Sequence, residues 1–192
     1  MADLDGRICA LLDGGDVKGA ATEAIRGLGP QVLGYLTAVL KDDDDARDVF
    51  SQFAEDLWRG LPAFRRECSL RTWAFKLAWH AASRHARDPY RRRHRPILTT
   101  EASKIAASVR STMSTHAPGG RADKLLRLRQ ALDPEEQTLL ILRVDKGLAW
   151  EEVASVLSAE GEGVAPAALR KRFERLKEKL ARLAKEQGLL DG

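Results

Sequence analysis

The spacing of the apolar residues is the feature that most constrains the fold of this chain. Apolar side chains recur at three- and four-residue steps, which places them on one face of an α-helix. The clearest example is the series Val49, Phe50, Phe53, Leu57 and Leu61. The strict apolar–polar alternation that marks a half-buried strand is not evident in the sequence. The sequence therefore predicts an all-α protein.

Capping residues predict where the N-terminal helices begin and end. We expect helices over residues 17–28 and 30–40, because Gly29 can end the first and Pro30 can occupy the first position of the second. A run of four aspartates beginning at Asp42 supplies N-capping carboxylates for the next helix, which carries the apolar series above.

Turn residues mark the following boundaries. Gly60 and Pro62 end the third helix, and Ser69 is a cap for a fourth that runs to about Arg87. Residues 96–123 are rich in Ser, Thr and Ala with poor periodicity, which predicts a linker with at most a helical turn near residues 102–109.

Three further helices are predicted in the C-terminal part. Asp133 as cap, Pro134 at the first position and Glu136 three residues after the cap form a strong start signal for a helix that continues to Gly147. A short helix is expected at residues 150–157, and a long basic helix is expected from Pro166 to about Glu186.

Charge is distributed unevenly along the chain. The net charge is +4, yet residues 1–56 carry 12 acidic and 5 basic side chains. Much of the basic excess lies at residues 65–95 and 170–185, with 10 and 8 Lys or Arg residues. Such clusters are either solvated helix faces or surfaces for a polyanion, and the acidic front predicts a different partner.

The sequence gives little support for catalysis or for membrane insertion. Its four histidines lack metal-ligand spacing and it has no nucleophile or phosphate-binding motif, so we expect no enzyme, cofactor or metal site. Cys9 and Cys68 stand far apart without a C-x-x-C motif, which argues against a disulfide framework. No stretch is apolar enough to cross a bilayer and no signal peptide is evident, so a cytoplasmic location is expected.

The C-terminal part has the order of a helix-turn-helix motif, a short helix followed by a turn and a long basic helix. At about 100° per residue, Leu169 and Leu176 fall on the core side of the last helix, together with Phe173, Leu180 and Leu183. Its N-terminal half is expected to contact bases and its later residues phosphates. The predicted DNA-binding residues are Arg170, Lys171, Glu174, Arg175, Lys177 and Lys179. A solvated helix with Glu–Lys pairs is the alternative interpretation.

The loop from Phe64 to Ser69 is basic and polar, and it leads into a helix with cations outside its apolar stripe. Such a loop can hold an extruded base while the helix follows the phosphates of a single strand. Trp73 shares the stripe with Leu70 and Leu77, so core packing is favoured over base stacking.

Two segments resemble the extracytoplasmic-function class of bacterial sigma factors, within the sigma-70 family. Their second conserved region is similar to DDARDVFSQFAEDLWRGLPAFRRECSLRTWAFKLAWHAASRH. Their fourth is similar to ALDPEEQTLLILRVDKGLAWEEVASVL with the basic helix after it. The resemblance implies a region-two-like domain at residues 1–95, a linker at 96–123 and a region-four-like helix-turn-helix domain at 124–192.

The resemblance also implies partners and site residues. The acidic helix would dock on core RNA polymerase through Asp44, Asp45, Asp48, Gln52 and Glu55. The minus-ten promoter element would be bound by Phe64, Arg65, Arg66, Glu67, Ser69, Arg71, Lys76, His80 and Arg84. The C-terminal residues named above would read the minus-thirty-five element. An anti-sigma factor is a further partner that the class implies.

The sequence departs from the class pattern at several positions. The turn after the short helix, at residues 158–163, is several residues longer than usual. Ala149 and Ala165 stand where the class prefers a capping Ser or Thr, a loss of about 1 kcal/mol each. Arg84 replaces a usually acidic residue and Trp79 a usually basic one.

Two alternatives to a promoter-specificity factor stay open. One is a degenerate sigma-like protein that sequesters an anti-sigma factor or core polymerase, which the long turn and missing caps favour. The other is a stand-alone helix-turn-helix regulator that binds duplex DNA without polymerase.

Overall fold

The computed structural model describes residues 2–87, 101–112, 127–158 and 163–189. Within these ranges the regular structure is helical and contains no strand, which confirms the predicted all-α fold. The chain divides into an N-terminal unit, residues 1–114, and a C-terminal unit, residues 115–192. None of the described helices is both long enough and apolar enough to span a bilayer.

The described part of the N-terminal unit contains five α-helices. They are α1 (Ala2–Asp13), α2 (Val17–Leu40), α3 (Asp43–Gly60), α4 (Leu70–Arg87) and α5 (Glu101–Thr112). A short 3₁₀ turn, Leu61–Ala63, follows α3. Helix α2 contacts each of the other four helices, so it forms the centre of this unit. Its buried apolar face includes Ile25, Leu28, Val32, Tyr35 and Leu36.

The predicted break at Gly29 and Pro30 is wrong, because α2 continues through both residues. Pro30 cannot donate a backbone hydrogen bond to the carbonyl of Arg26, but both residues are exposed and water can satisfy that carbonyl. Buried residues lie on both sides of Pro30, including Leu28 and Val32. Packing of these flanks outweighs the local cost of the proline. Helix α1 was not expected from the sequence.

The predictions for α3 and α4 are confirmed. Asp42 caps α3, since its side chain accepts a hydrogen bond from the Asp45 backbone N–H at 2.8 Å. The apolar series from Val49 to Leu61 is buried. Ser69 caps α4 by accepting from the Thr72 backbone N–H at 3.1 Å, and α4 ends at Arg87.

The predicted linker over residues 96–123 contains a packed helix. Its residues 96–100 and 113–123 lie outside the described residues, but residues 101–112 form α5, which packs on α2 and α3. The buried side chains of α5 are Ala102, Ile105, Ala106 and Val109. Their three- and four-residue spacing was hidden by the small size of the alanines and by the surrounding Ser and Thr.

The described part of the C-terminal unit begins with helical residues 127–130. Helix α6 (Pro134–Leu140) continues into a π-helical turn, Ile141–Asp145. Helices α7 (Trp150–Leu157) and α8 (Pro166–Glu186) follow with the predicted bounds. Residues 124–126 and residues 159–162 of the predicted long turn lie outside the described residues.

Capping in the C-terminal unit agrees with the sequence. Asp133 and Glu136 form a reciprocal capping box at α6, with backbone-to-carboxylate distances of 2.8 and 3.0 Å. At α7 one of the two hydrogen bonds of a capping box is present, because the Glu152 carboxylate accepts from the Ala149 backbone N–H at 2.9 Å. Ala149 and Ala165 make no side-chain cap.

Candidate polymerase and nucleic-acid interfaces

The N-terminal half of α3 carries the predicted polymerase-binding residues. Asp44 is exposed, and Asp45, Asp48 and Gln52 are half-buried. We call these four residues the acidic face. Glu55 does not belong to it, because it is only 3% exposed and its carboxylate lies 3.5 Å from Arg59 Nη2. The predicted surface role of Glu55 is therefore not compatible with its position.

Arginines from neighbouring helices border the acidic face. Arg84 of α4 forms an ion pair with Asp56. The same Asp56 carboxylate accepts a hydrogen bond from Gln52 Nε2 at 2.8 Å. Arg84, which was predicted to follow DNA, is thus linked through Asp56 to the acidic face.

Arg110 of α5 borders the other side of the acidic face. Its Nη1 donates to the Arg47 carbonyl at 3.2 Å and also to the Ser51 hydroxyl. Burial is the main cause that lowers the pKa of Arg110, while the nearby Asp48 carboxylate opposes this effect. Sequence reasoning missed Arg110, because nothing local indicates a contact across about 60 residues.

The loop at residues 64–69, which we call the basic loop, exposes its charged side chains. Arg65 and Glu67 are 82% and 76% exposed in their side chains and lie 3.9 Å apart. Arg66 donates to Asp13 of α1, with one Nη1–Oδ2 distance of 3.4 Å and a second, shorter contact. The backbone φ of Arg66 is 60°, in the left-handed region that costs a non-glycine residue about 1–3 kcal/mol.

The aromatic residues at the base of this loop form a pair. The rings of Phe64 and Trp73 are 5.0 Å apart at their centroids and both residues are half-buried. Trp73 also packs on Gly60, where an added Cβ would lie 3.0 Å from the indole ring. Trp73 is therefore neither fully in the core, as favoured from the sequence, nor a free stacking platform.

Ser69 has a structural role in addition to its place in the loop. Its hydroxyl caps α4 and forms a 2.8 Å hydrogen bond with the Thr72 hydroxyl. The predicted contact of Ser69 with DNA would compete with this cap.

The predicted cations of α4 do not share one face. At about 100° per residue, Lys76, His80 and Arg84 fall within a sector of about 80°, opposite the buried side of the helix. Arg71 lies about 140° away from Lys76, on the buried side of the helix, and its side chain is half-buried. Lys76 and His80 are half-buried and Arg84 is exposed, and we call these three residues the basic side of α4. The Arg84 charge at its end is paired with Asp56.

Helix α8 separates its buried and exposed residues as predicted. Leu169 and Leu176 are buried, and Phe173, Leu180 and Leu183 are half-buried. Lys171, Glu174 and Arg175 are exposed on the opposite side in the N-terminal half, and we call them the α8 reading face. Glu174 Oε2 lies 2.7 Å from Lys177 Nζ on the same helix.

Two other cations of α8 bind the acidic start of α6. Lys179 Nζ lies 2.6 Å from Glu136 Oε2, and Arg172 forms an ion pair with Glu135. Lys179 was predicted to contact DNA, but its half-buried side chain holds α8 against α6 instead.

Arg170 lies on the α7 flank of the motif. Its Nη2 is 3.4 Å from Glu151 Oε1, and its guanidinium lies 6.0 Å from the Trp150 ring. Trp150 also packs edge-on against Phe173, with centroids 5.5 Å apart. These contacts fix α7 to the N-terminal half of α8, which is the part that presents the reading face.

The described residues contain no group of three or more His, Cys, Asp or Glu side chains arranged to hold a metal ion. The exposed basic loop of the N-terminal unit and the helix-turn-helix of the C-terminal unit are each typical of helical proteins that bind nucleic acid.

Comparison with known proteins agrees with this class. Residues 24–96 match the family model for sigma-70 region 2. The chain is 25% identical over 133 residues to the RNA polymerase sigma-H factor of Pseudomonas aeruginosa, covering 66% of this chain and 69% of that protein. It is 29% identical over 131 residues to the RNA polymerase sigma factor YlaC of Bacillus subtilis, covering 66% of this chain and 73% of that protein. Residues 24–96 therefore form a sigma-70 region 2 domain, and the chain is similar to bacterial sigma factors over about two thirds of its length.

Proposed function

We propose that the chain is a sigma factor of the sigma-70 family, which binds core RNA polymerase through the acidic face of α3 and directs initiation by binding two promoter elements. The basic loop and the basic side of α4 bind the minus-ten element, and the α8 reading face binds the minus-thirty-five element. The observation that carries this proposal is the uneven distribution of charge. Asp44, Asp45 and Asp48 cluster at the start of α3, whereas Arg and Lys outnumber Glu on the basic loop, α4 and α8.

The acidic face suits a basic protein surface more than DNA. Asp44, Asp45 and Asp48 lie within the first two turns of α3, where they repel phosphates. Exposed Asp44 and half-buried Gln52 offer charge and hydrogen bonding to a partner helix. An anti-sigma factor that covered the same face would compete with polymerase.

The basic loop suits an unpaired strand. Arg65 projects into solvent, and the Phe64–Trp73 pair beside it offers an aromatic edge to a base. Capture of an extruded base would offset the cost of opening the duplex, which is a few kcal/mol.

The reading face suits the major groove of duplex DNA. Lys171, Glu174 and Arg175 lie in the first ten residues of α8, where a recognition helix meets base edges. Lys and Arg donate to guanine, and Glu accepts from cytosine. This pattern supports sequence-specific contact instead of charge attraction alone.

The test is run-off transcription of a promoter pool with purified core polymerase and the full chain. Transcripts that share start sites, and upstream elements at fixed spacing, would support the proposal. Association with polymerase without any transcript would instead support a sequestering protein. Tight sequence-specific duplex binding without polymerase, and no transcript with it, would support a stand-alone regulator.

A variant pair separates the loop from the polymerase contact. R65Q/K76Q is expected to lower strand opening, measured by permanganate reactivity of unpaired thymines, at least tenfold while binding of core is unchanged. R26Q is the matched control, because Arg26 is an exposed cation on α2 that belongs neither to the basic loop nor to α4. Equal loss with R26Q would contradict a local role of the basic loop.

A further inference from the structure

The two cysteines of the chain meet at one small pocket of the N-terminal unit. Cys9 of α1 and Cys68 of the basic loop both line this pocket, which has a volume of about 80 Å³. Neither cysteine is part of a disulfide and both are half-buried, so neither is sealed from solvent. Sequence spacing gave no sign of this proximity.

A second contact holds the same two segments side by side. Asp13 lies one helical turn after Cys9, on the same side of α1. Asp13 pairs with Arg66, which precedes Cys68 by two residues. The Asp13–Arg66 ion pair therefore holds the basic loop against α1, and Cys9 and Cys68 line the same pocket between these two segments.

Charged side chains lie beside the two cysteines at the pocket. The pKa of Arg66 is raised, first by its hydrogen bond and charge interaction with Asp13 and then by attraction to Cys9. Asp5 also lines the pocket, so a guanidinium and a carboxylate both lie beside the two cysteines.

We infer that Cys9 and Cys68 form a peroxide-oxidisable pair whose disulfide ties the basic loop to α1. The Cys9 thiolate attacks hydrogen peroxide, the O–O bond breaks, and Cys9 sulfenic acid forms while hydroxide leaves and takes a proton to become water. The Cys68 thiolate then attacks the Cys9 sulfur, the S–S bond forms, and a second hydroxide leaves as water. In total, two thiols lose two electrons and one peroxide is reduced to two waters.

The functional consequence rests on the proposed role of the loop in capturing a base. With the disulfide formed, Arg66 stays against Asp13 with its charge compensated, and the loop cannot move away from α1. The oxidised protein therefore binds core polymerase but opens promoter DNA poorly. Reduction by a dithiol restores the two free thiols and the mobility of the loop.

The chemical test uses the reduced full chain treated with hydrogen peroxide, after which the peroxide is removed. The expected product is a monomer without titratable thiols, with a Cys9–Cys68 peptide pair found by mass spectrometry of a non-reduced digest and lost on addition of dithiothreitol. The variants C9S and C68S should give no such pair. Sulfinic acid on separate cysteines, or disulfides only between chains, would overturn the inference.

A matched pair of arginine variants tests the contact that holds the two cysteine-bearing segments together. R66Q should slow disulfide formation about threefold or more, because it removes the ion pair with Asp13 that holds the basic loop beside α1. R65Q should leave the rate unchanged, because Arg65 is paired with Glu67 and does not line the pocket. Equal rates in R66Q and R65Q would contradict the role of Arg66.

The functional test adds pre-oxidised or reduced protein to core polymerase. Oxidation should lower promoter opening at least tenfold in the unsubstituted chain and leave C9S unaffected, with full recovery after reduction. A crosslinked protein with unchanged promoter opening would refute the switch. If the protein forms the crosslink on oxidation but supports no transcription when reduced, the proposed function is refuted and the thiol pairing is still supported.

Discussion

Docking of α5 on α2 can be tested at one glycine. Gly29 lies in the interior of α2, and an added Cβ would lie 3.1 Å from Phe50 Cζ and 3.2 Å from Val109 Cγ1. Alanine is favoured over glycine in a helix by about 0.5–1 kcal/mol. Overpacking in a core costs about 1–3 kcal/mol. We therefore expect G29A to lower the free energy of unfolding by about 1 kcal/mol.

The second substitution shortens Val109, the α5 side chain that lies beside Gly29. V109A deletes two methyl groups from a side chain that is 5% exposed. At about 0.8 kcal/mol for each buried carbon group, V109A should cost about 1.5 kcal/mol. In the double variant the new methyl of residue 29 occupies part of the vacated space. The loss of unfolding free energy in the double variant should therefore be about 1 kcal/mol smaller than the sum of the losses in the two single variants.

The measurement is urea unfolding followed by tryptophan fluorescence in a W150F background. The remaining tryptophans, Trp58, Trp73 and Trp79, then report on the N-terminal unit alone. G34A is the control, because Gly34 is an exposed α2 residue with open space at its Cβ. G34A should stabilise slightly and add to V109A. A G29A/V109A cycle that is additive within about 0.3 kcal/mol would refute the docking of α5 at Gly29.

Three further predictions concern caps and charges. D133A removes half of the α6 capping box and should destabilise the C-terminal unit by about 1 kcal/mol, seen as faster amide hydrogen exchange in residues 134–145; unchanged exchange would contradict the cap. S69A should cost about 1 kcal/mol in unfolding free energy but less than twofold in binding of single-stranded DNA, and a large loss of binding would show that the hydroxyl contacts DNA. K171A should lower the salt slope of duplex binding by about 1, whereas K179A should leave the slope unchanged and destabilise the unit; equal slopes would contradict the assignment of the reading face.

Local signals predicted the helix ends well. Asp42, Ser69 and Asp133 cap the helices that the sequence indicated, and α7 and α8 have the predicted bounds. Capping depends on hydrogen bonds between residues two or three positions apart, so the necessary information lies within one turn. The amphipathic stripe of α3 is equally local.

Contacts between distant residues could not be predicted in the same way. Arg66 pairs with Asp13 across 53 residues, and Arg84 with Asp56 across 28. These pairings alter the predicted contacts of individual site residues, whereas the predicted all-α fold is unaffected. Glu55 and Lys179 likewise look exposed in sequence, and only the packing of the helices shows that Glu55 is buried and that Lys179 faces α6.

Pro30 shows where a strong local rule fails. Proline usually ends a helix, yet α2 continues because its buried flanks pack against the other helices of the unit. Glycine at residue 29 also permits α3 and α5 to approach closely. The pair Gly29–Pro30 therefore marks a packing contact and not a helix boundary.

The central claim is that protein and nucleic acid bind separate surfaces of opposite charge. Its most direct test is the dissociation constant for core polymerase of D48R/Q52R, compared with R65Q/K76Q under the same salt conditions. Charge reversal on α3 should weaken binding at least tenfold, and the loop variant should bind within twofold of the unsubstituted chain, provided that circular dichroism shows both to be folded. Unimpaired binding by folded D48R/Q52R, or equal weakening by both variants, would contradict the claim.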